Sequence, residues 1–479
     1  MSGYGAGVSE ERVIMAQRAG MRRPAAPEGD AAARYAATRS ALQAELTGSR
    51  APVRLGKRTS NLFRPREAAA RRLDVAALSG VLEVDAEAGT ADVLGMTTYE
   101  ALVDATLPHG VMPLVVPQLK TITIGGAVAG LGIESTSFRN GLPHESVLEM
   151  EILTGTGEIV VARPDNDHAD LFWAFPNSYG TLGYALRLRI EVEPVRPYVA
   201  LRHLPYRSAA ACMADLERLC RQREIDGAAV DFLDGTAFGP DELYLTVGTF
   251  TDSAPYASDY TGQDIYYRSI RRRERDYLTI RDYLWRWDTD WFWCSRAFGA
   301  QNPVIRRLWP SRWLRSDVYH RIVAFENRVG LKRRVDRLLR RPVIEPIVQD
   351  VEIPVDQSAE FLAYLFGDVG LAPVWLCPLQ QRHEAPWDLY PLAPSTLYVN
   401  FGFWGGVPVA PGEREGDRDR RVERAVSAHD GHKSLYSTAY YTPEEFWAHY
   451  GGQRYWDVKA RYDPDRRLLD LYEKCVARR

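Results

Sequence analysis

The sequence predicts an α+β protein of two units, over residues 31–197 and 198–479, behind a leader of residues 1–30. Three observations carry this. From Val53 onward, short β-branched and apolar runs alternate with turn residues, and few stretches show helical spacing. The pattern stops at Pro194 and restarts after Tyr198. A chain of 479 residues that is 46% apolar can build more than one core.

Residues 1–30 carry scattered charge and no continuous apolar stretch, so they read as a mobile leader and not a secretory signal. Ala31–Leu46 has helical composition and stops at Thr47-Gly48-Ser49. Strands follow at Gly80–Asp85, Thr90–Leu94, Val111–Val116 and Ser146–Leu153. Between them lies an amphipathic helix, Thr98–Leu107, capped by Thr97 or Thr98 and halted before Pro108-His109-Gly110. Tyr184–Glu193 is the last strand of the first unit. The second unit has a helix at Ala209–Arg223 and strands at Ala228–Phe232 and Leu243–Phe250. A strand–helix pair, Val351–Pro354 and Ala359–Phe366, precedes strands at Val374–Cys377 and Leu397–Phe403. An insert-like segment, Arg268–Arg340, is rich in arginine and aromatics. Glu413–Arg424 is a charge run with no apolar stripe and reads as a solvated loop.

With 63 acidic and 60 basic residues, the chain lacks the strongly basic field of a nucleic-acid binder. Its five cysteines are odd in number, widely spaced and form no C-x-x-C, which argues against a disulfide framework or a cysteine-rich metal centre. A reducing, cytoplasmic setting is the expectation. No run of 18 apolar residues is present to span a bilayer.

The richest stretch is Pro117–Gly141, with Gly125, Gly126, Gly130, Gly132 and Gly141 separated by small residues. Such spacing allows close backbone approach, and exposed amides in such loops bind anions. It also suits a tight packing turn. It is not the G-x-G-x-x-G of a dinucleotide fold, and no P-loop occurs. A second loop, Arg54 to Asn61, follows a short strand and offers Gly56, Lys57, Arg58, Thr59, Ser60 and Asn61, a set suited to a pyrophosphate. A third, Tyr179–Tyr184, contributes Gly180 and Gly183. Three glycine loops in one unit imply a long ligand wrapped by it.

From Val115 to Pro194 the chain resembles the FAD-binding domain of the vanillyl-alcohol-oxidase/p-cresol-methylhydroxylase (PCMH/VAO) flavoproteins. The resemblance lies in Thr123 before Gly125-Gly126, in Gly132-Ile133, in Phe138-Arg139-Asn140-Gly141, in Ser146–Ile159 and in Asp170–Pro194. Within that superfamily it is similar to Δ24-sterol reductases, through Val115–Gly126, Gly132–Ser135, Val230–Gly235, Glu444–Gly452 and Asp470–Lys474. Ser258–Ile270, Trp285–Pro303 and Asp430–Ser437 resemble actinobacterial FAD reductases that act with a methyltransferase in making 10-methyl branched fatty acids such as tuberculostearate.

The resemblance implies a two-subdomain FAD-binding domain followed by a substrate or cap domain. It implies FAD contacts from the first loop and from Gln118, Thr121, Thr123, Gly125, Gly126, Ala129, Gly132, Ile133, Ser135, Gly180 and Gly183. Thr59 stands where covalent members place a histidine, so FAD is expected without a covalent link. The implied activity is reduction of an isolated alkene in a lipid, a 10-methylene acyl chain becoming 10-methyl, with NADPH as electron donor. The implied partners are the lipid and an S-adenosylmethionine-dependent fatty-acid methyltransferase. Alternatives are a sterol reductase, an alcohol oxidase or dehydrogenase, and a lipid-binding protein without flavin. No metal is expected.

Alkene reduction needs a proton donor beside a dry pocket. Candidates in the second unit are Asp264, Tyr266, Tyr267, Arg382, His383, Asp388, His432 and Lys433, with Asp264, Tyr266, His432 and Lys433 foremost; each also fits a packing role. Six of the twelve tryptophans lie between Trp285 and Trp313 among arginines, which reads either as a surface for anionic lipid at the inner face of the cell membrane or as an aromatic core.

Overall fold

The computed structural model describes residues 28–57, 63–64, 71–330, 339, 342–385 and 387–477. The expected leader lies outside the described residues as far as residue 27. Helix α1, Glu28–Thr47, buries Tyr35, Leu42 and Leu46, a stripe at helical spacing, against Leu73, Val75, Leu78 and Leu186. The Tyr35 hydroxyl donates to Glu151 at 2.6 Å, tying the helix to the first sheet.

That sheet is formed by β1 (Val81–Asp85), β2 (Thr90–Leu94), β3 (Val111–Pro113), β4 (Val147–Leu153), β5 (Ile159–Ala162) and β6 (Tyr184–Pro194). All pairings are antiparallel, in the order β1-β2-β6-β4-β5, with β3 on the far end of β6. Helix α2, Tyr99–Thr106, starts where the Thr98 side chain accepts from the Ala101 amide, and it buries Tyr99, Leu102 and Val103. The glycine-rich segment forms α3, Ile124–Gly130, begun in the same way by Thr123 accepting from the Gly126 amide.

Residues 195–197 lead directly into the second sheet. Helix α4, Ala209–Gln222, capped by Ser208, buries Cys212, Met213, Leu216, Leu219 and Cys220. The strands are β7 (Tyr198–Tyr206), β8 (Phe232–Gly239), β9 (Glu242–Thr251), β10 (Arg275–Thr279), β11 (Ile344–Pro354), β12 (Val374–Gln380), β13 (Leu397–Pro408) and β14 (His432–Lys433). They form one antiparallel sheet, ordered β10-β7-β9-β8-β12-β13-β11-β14. The segment between β10 and β11 holds α5, Pro303–Leu308, and α6, Ser316–Val329.

Two expectations need correction. Ala228–Phe232 is not one strand: a tight hairpin, Glu224–Ile225 with Ala228–Ala229, turns through Asp226 and Gly227 at φ 50° and 80°, and β8 starts at Phe232. The charge run is not a solvated loop but helix α7, Asp417–Ala428. Its apolar face is only Val422 and Val426, too narrow to show as a stripe, and its buried acids are paired, Asp419 with Gln349 at 2.8 Å and Glu423 with Lys433 at 2.6 Å. The C-terminal segment returns to the first unit, where Lys459 Nζ donates to the Thr181 carbonyl at 2.7 Å and Tyr462 donates to Asp170 at 2.8 Å.

Candidate cofactor and substrate site

A cavity of about 1210 Å³ lies between the two units. Pockets for drug-sized ligands span roughly 300–1,000 Å³, so this one has room for a dinucleotide and part of a second molecule. Lys57 lines it from the first loop; Gln118, Thr121, Thr123, Gly125, Gly126, Ala129, Gly132 and Ile133 from the second; Gly180 and Gly183 from the third. The sequence-expected Gly56 and Ser135 are not in its wall. A Cβ on Gly56 would meet the Leu73 carbonyl at 2.7 Å, and Ser135 is engaged with Glu134 and, at 2.8 Å, with Tyr283. Arg58, Thr59, Ser60 and Asn61 lie outside the described residues.

The paired glycines have different neighbours. A Cβ on Gly125 would lie 2.6 Å from the Gly95 carbonyl oxygen, backbone that cannot move aside, and the Gly125 amide donates to that same oxygen at 3.0 Å. A Cβ on Gly126 would meet the Thr123 hydroxyl at 2.8 Å and the Lys57 ammonium at 3.4 Å. Lys57 itself reaches Thr123 Oγ1 at 3.2 Å. Gly125 therefore seats α3 on the sheet, while Gly126 keeps open the space below a cation. The third loop is pinned to the second: the Tyr179 amide donates to Ala129 at 2.7 Å and its hydroxyl to the Gly130 carbonyl at 2.8 Å. In the wall, the amide nitrogen of Gln118 is buried with no hydrogen-bond partner among the described residues. A buried donor left unmade is costly, so this atom fits a ligand acceptor. Lys57, Gln118, the Gly126 space and the left-handed Gly180 (φ 74°) together suit an anionic dinucleotide.

The opposite wall belongs to the second unit and is aromatic: Trp291, Phe292, Trp293, Trp375 and Trp404 line it, with the Phe292 and Trp404 rings 4.4 Å apart. Polar groups interrupt it, among them Gln349, Asp350, Asp419, Ser434 and Tyr436. Asp350 on β11 lies opposite Gly402 on β13, and a Cβ there would fall 2.7 Å from its carboxylate, so glycine makes the room. Asn400 donates to Asp350 at 3.1 Å. The Tyr436 hydroxyl hydrogen-bonds the same carboxyl and accepts from Trp404 Nε1 at 2.8 Å. Burial pushes the Asp350 carboxyl up to about 7, against the opposing pull of those two hydrogen bonds.

Asp264, Tyr266, His432 and Lys433 do not line this cavity. Asp264 is exposed, with its backbone carbonyl held by Arg306. Tyr266 is buried edge-on to Trp287, and burial raises its phenol. His432 packs on the Tyr390 ring, and burial pushes its imidazole down to about 4. Lys433 is neutralised by Glu423 and donates to the Thr438 carbonyl at 2.6 Å. Tyr267, Arg382, His383 and Asp388 are likewise absent from the wall; Arg382 is paired with Glu191 at 2.6 Å.

The Arg/Trp segment divides. Trp285, Trp287, Trp291 and Trp293 are buried, as are Arg286 and Arg306, the latter held by Asp290 at 2.7 Å. Arg315 is clamped by Glu100 at 2.9 Å. Most of the segment is therefore core, because aromatic area is worth more buried than wet. What remains outside is a rim: Val304, Leu308, Trp313 and Phe325 are 49–79% exposed, beside exposed Arg307 and Arg312. The cavity reaches this side, since Arg296, Ala297 and Ile344 are exposed and also line it. Among the described residues no helix is long and apolar enough to cross a membrane.

A family model described as an FAD binding domain matches residues 40–163, which spans the first two glycine loops and the first sheet as far as β5. The chain is 26% identical to human (Homo sapiens) Δ24-sterol reductase over 419 residues, covering 84% of this chain and 77% of that protein. It is 23% identical to Δ24-sterol reductase of Arabidopsis thaliana, covering 84% and 76%. It is 24% identical to cytokinin dehydrogenase 7 of rice (Oryza sativa subsp. japonica), covering 80% and 74%. The antiparallel first sheet, its glycine loops and the second sheet closing over them are the PCMH/VAO-type α+β fold. Residues 40–163 thus match an FAD binding domain, and the chain is similar to Δ24-sterol reductases along most of its length.

Proposed function

We propose that the protein is an FAD-dependent reductase of an isolated carbon–carbon double bond in a lipid, with a 10-methylene acyl chain as substrate and NADPH as electron donor. The observation that carries this reading is a cavity with glycine loops and Lys57 on one wall and an apolar aromatic wall on the other, continuous with an exposed apolar rim. When bound, FAD supplies the hydride. Lys57, Gln118 and the Gly126 space hold its anionic part; Thr59 leaves it unlinked. The aromatic wall excludes water and admits a chain with no polar group to anchor. The likeness to Δ24-sterol reductases supports action on an alkene.

The test is anaerobic. Enzyme reduced beforehand is mixed with a phospholipid bearing a 10-methylene chain, and the oxidised flavin absorbance is followed. Its return supports the reading. Return only with a Δ24-unsaturated sterol moves the substrate to the sterols. The likeness to cytokinin dehydrogenase favours a second reading, oxidation of an alcohol or amine, which requires oxidised enzyme to be bleached by such a compound without NADPH.

The same reading places the rim against an anionic bilayer, beside a partner methyltransferase that supplies the methylene chain. Arg307 and Arg312, and not the buried Arg306 or the clamped Arg315, are the attracting groups. Each contributes about 1 kcal/mol near such a surface, so Arg307→Gln with Arg312→Gln should weaken co-sedimentation with anionic vesicles roughly thirtyfold. Raising salt from 0.1 to 1 M should do likewise, as the Debye length falls from about 10 to about 3 Å. Equal sedimentation of the double variant and the wild type would sink the docking.

A further inference from the structure

We propose that Asp350, held by Asn400 and Tyr436 in the aromatic wall, is the catalytic acid that gives its proton to the double bond. The inference rests on the alkene-reductase reading and names a residue for it. Three features taken together single out Asp350, which is half-buried where it meets the cavity.

The first is its company. Asp234, Asp290, Glu423 and Asp463 are each paired with a buried Arg or Lys, at 2.9, 2.7, 2.6 and 2.7 Å. Among the described residues no Lys, Arg or His makes an ion pair with Asp350; its partners are the neutral Asn400 and Tyr436. A buried acid without a counter-charge holds its proton. The second is a like neighbour. Glu352, two residues along β11, is buried, is bonded by the Tyr390 hydroxyl and is raised by burial and by Asp350. Two adjacent carboxyls that repel cannot both ionise readily. The other titratable groups on this side are Tyr436 itself, Tyr179 behind it, and Asp419 of α7, which bonds Gln349. The third is position. Asp350 and Asp419 line the cavity, whereas Glu352, Asp234 and Asp290 do not; Asp419 lies in the field of the Lys433 ammonium, which favours its charged form, and Asp350 is held by neutral groups.

The step balances as follows. The alkene π pair forms a C–H bond to the proton of Asp350 at the terminal CH2, the carboxyl O–H breaks, and C10 becomes a tertiary cation. The second C–H bond, at C10, would take the hydride that reduced FAD supplies when bound, with a nicotinamide donor as the source of its electrons. Asp350 is left as carboxylate and regains a proton from solvent entering at the rim. Tyr436, donating to that carboxylate, is a positioning residue.

The experiment uses the FAD-loaded enzyme and has two readouts. Glu134 and Glu145 are also raised to about 7, so the readout is the wild-type minus Asp350→Asn infrared difference across pH: it should hold a carboxylic C=O band lost with a midpoint near 7, and in Tyr436→Phe that band should shift to higher pH because a bond favouring the charged form is gone. Reoxidation of reduced enzyme by 10-methylene phospholipid should slow about 10²–10⁴-fold in Asp350→Asn, the usual worth of a general acid. Flavin content should stay unchanged, and wild-type rates should fall above about pH 7. In deuterated water the product should carry one deuterium, on the new methyl carbon. No titrating band in the infrared difference, or Asp350→Asn reacting within tenfold of the wild type, overturns the assignment. A wild type inert toward the methylene lipid sinks the substrate reading instead, and the infrared band then decides by itself whether Asp350 holds a donor's proton.

Discussion

Gly126→Val is expected to empty the protein of FAD while the apoprotein keeps its stability, whereas Gly125→Val destabilises the apoprotein itself. The two neighbours differ in what a side chain would strike. At 126 the valine meets the end of the Lys57 side chain and the Thr123 hydroxyl, and its methyls project into the cavity. Loss of the Thr123 cap costs about 0.5–2 kcal/mol, which the fold tolerates. At 125 the clash is with the Gly95 carbonyl at 2.6 Å, on the backbone leading out of β2, and relief means lifting α3 off the sheet. Overpacking of this kind costs about 1–3 kcal/mol or more. The checks are flavin released into the supernatant by acid precipitation, and the thermal midpoint of each apoprotein. Release of wild-type flavin also tests the absence of a covalent bond at Thr59. Equal loss of stability in both variants would mean that Gly126 serves packing alone.

Arg286→Met is expected to destabilise the fold by about 3–5 kcal/mol, the cost of leaving a buried ion pair without its cation. Arg286 joins three separate segments. Its guanidinium donates to Asp234 of β8 at 2.9 Å, lies 3.5 Å from Glu134 of the glycine-rich segment, and covers the Tyr283 ring at 3.9 Å. Asp234 also accepts from the indoles of Trp287 and Trp375 at 3.4 and 3.2 Å. Even with Arg286 present, burial outweighs its attraction and raises Glu134 to about 7. Without it, the folded-state Glu134 carboxyl rises further above its unfolded value. Such groups stabilise the fold at low pH and lose that contribution as pH rises through the folded pKa. The deficit in Arg286→Met should therefore be larger at pH 8 than at pH 5, read by denaturant unfolding. Adding Glu134→Gln and Asp234→Asn should recover part of it. A loss below about 1 kcal/mol would show that the cluster adds little to the junction.

The flavin side of the cavity was legible because it is written in residues of unusual backbone demand. Gly126, Gly132, Gly180 and Gly183 are close together in sequence within each loop, and all reach the wall. Gly56 and Ser135 shared the same motifs but turn into packing and into the Glu134 network, a distinction that depends on which way a backbone faces. The substrate side was hidden. Asp350 occupies one position in an alternating strand, and its partners Asn400, Gly402 and Tyr436 come from elements distant in sequence that only sheet pairing brings together. In sequence Asp350 stands between Gln349 and Glu352, in a strand that also carries Glu345, so nothing beside it set it apart. The dense aromatic and histidine motifs around Tyr266, His432 and Lys433 reflect packing away from the cavity. In the Arg/Trp segment, composition could not separate a lipid surface from a core, because both are built from the same side chains; the outcome is four tryptophans inside and a thin rim outside.

The proposed activity is reduction of a methylene-bearing acyl chain in this cavity. It is tested most directly by lipid mass spectrometry of a host that makes the matching methyltransferase, with and without this protein. The account predicts that 10-methylene chains accumulate in the methyltransferase-only host and are replaced, on addition of this protein, by chains heavier by two hydrogen atoms with the branch at the same carbon. Methylene chains that persist unchanged in cells holding the flavin-loaded protein would contradict it.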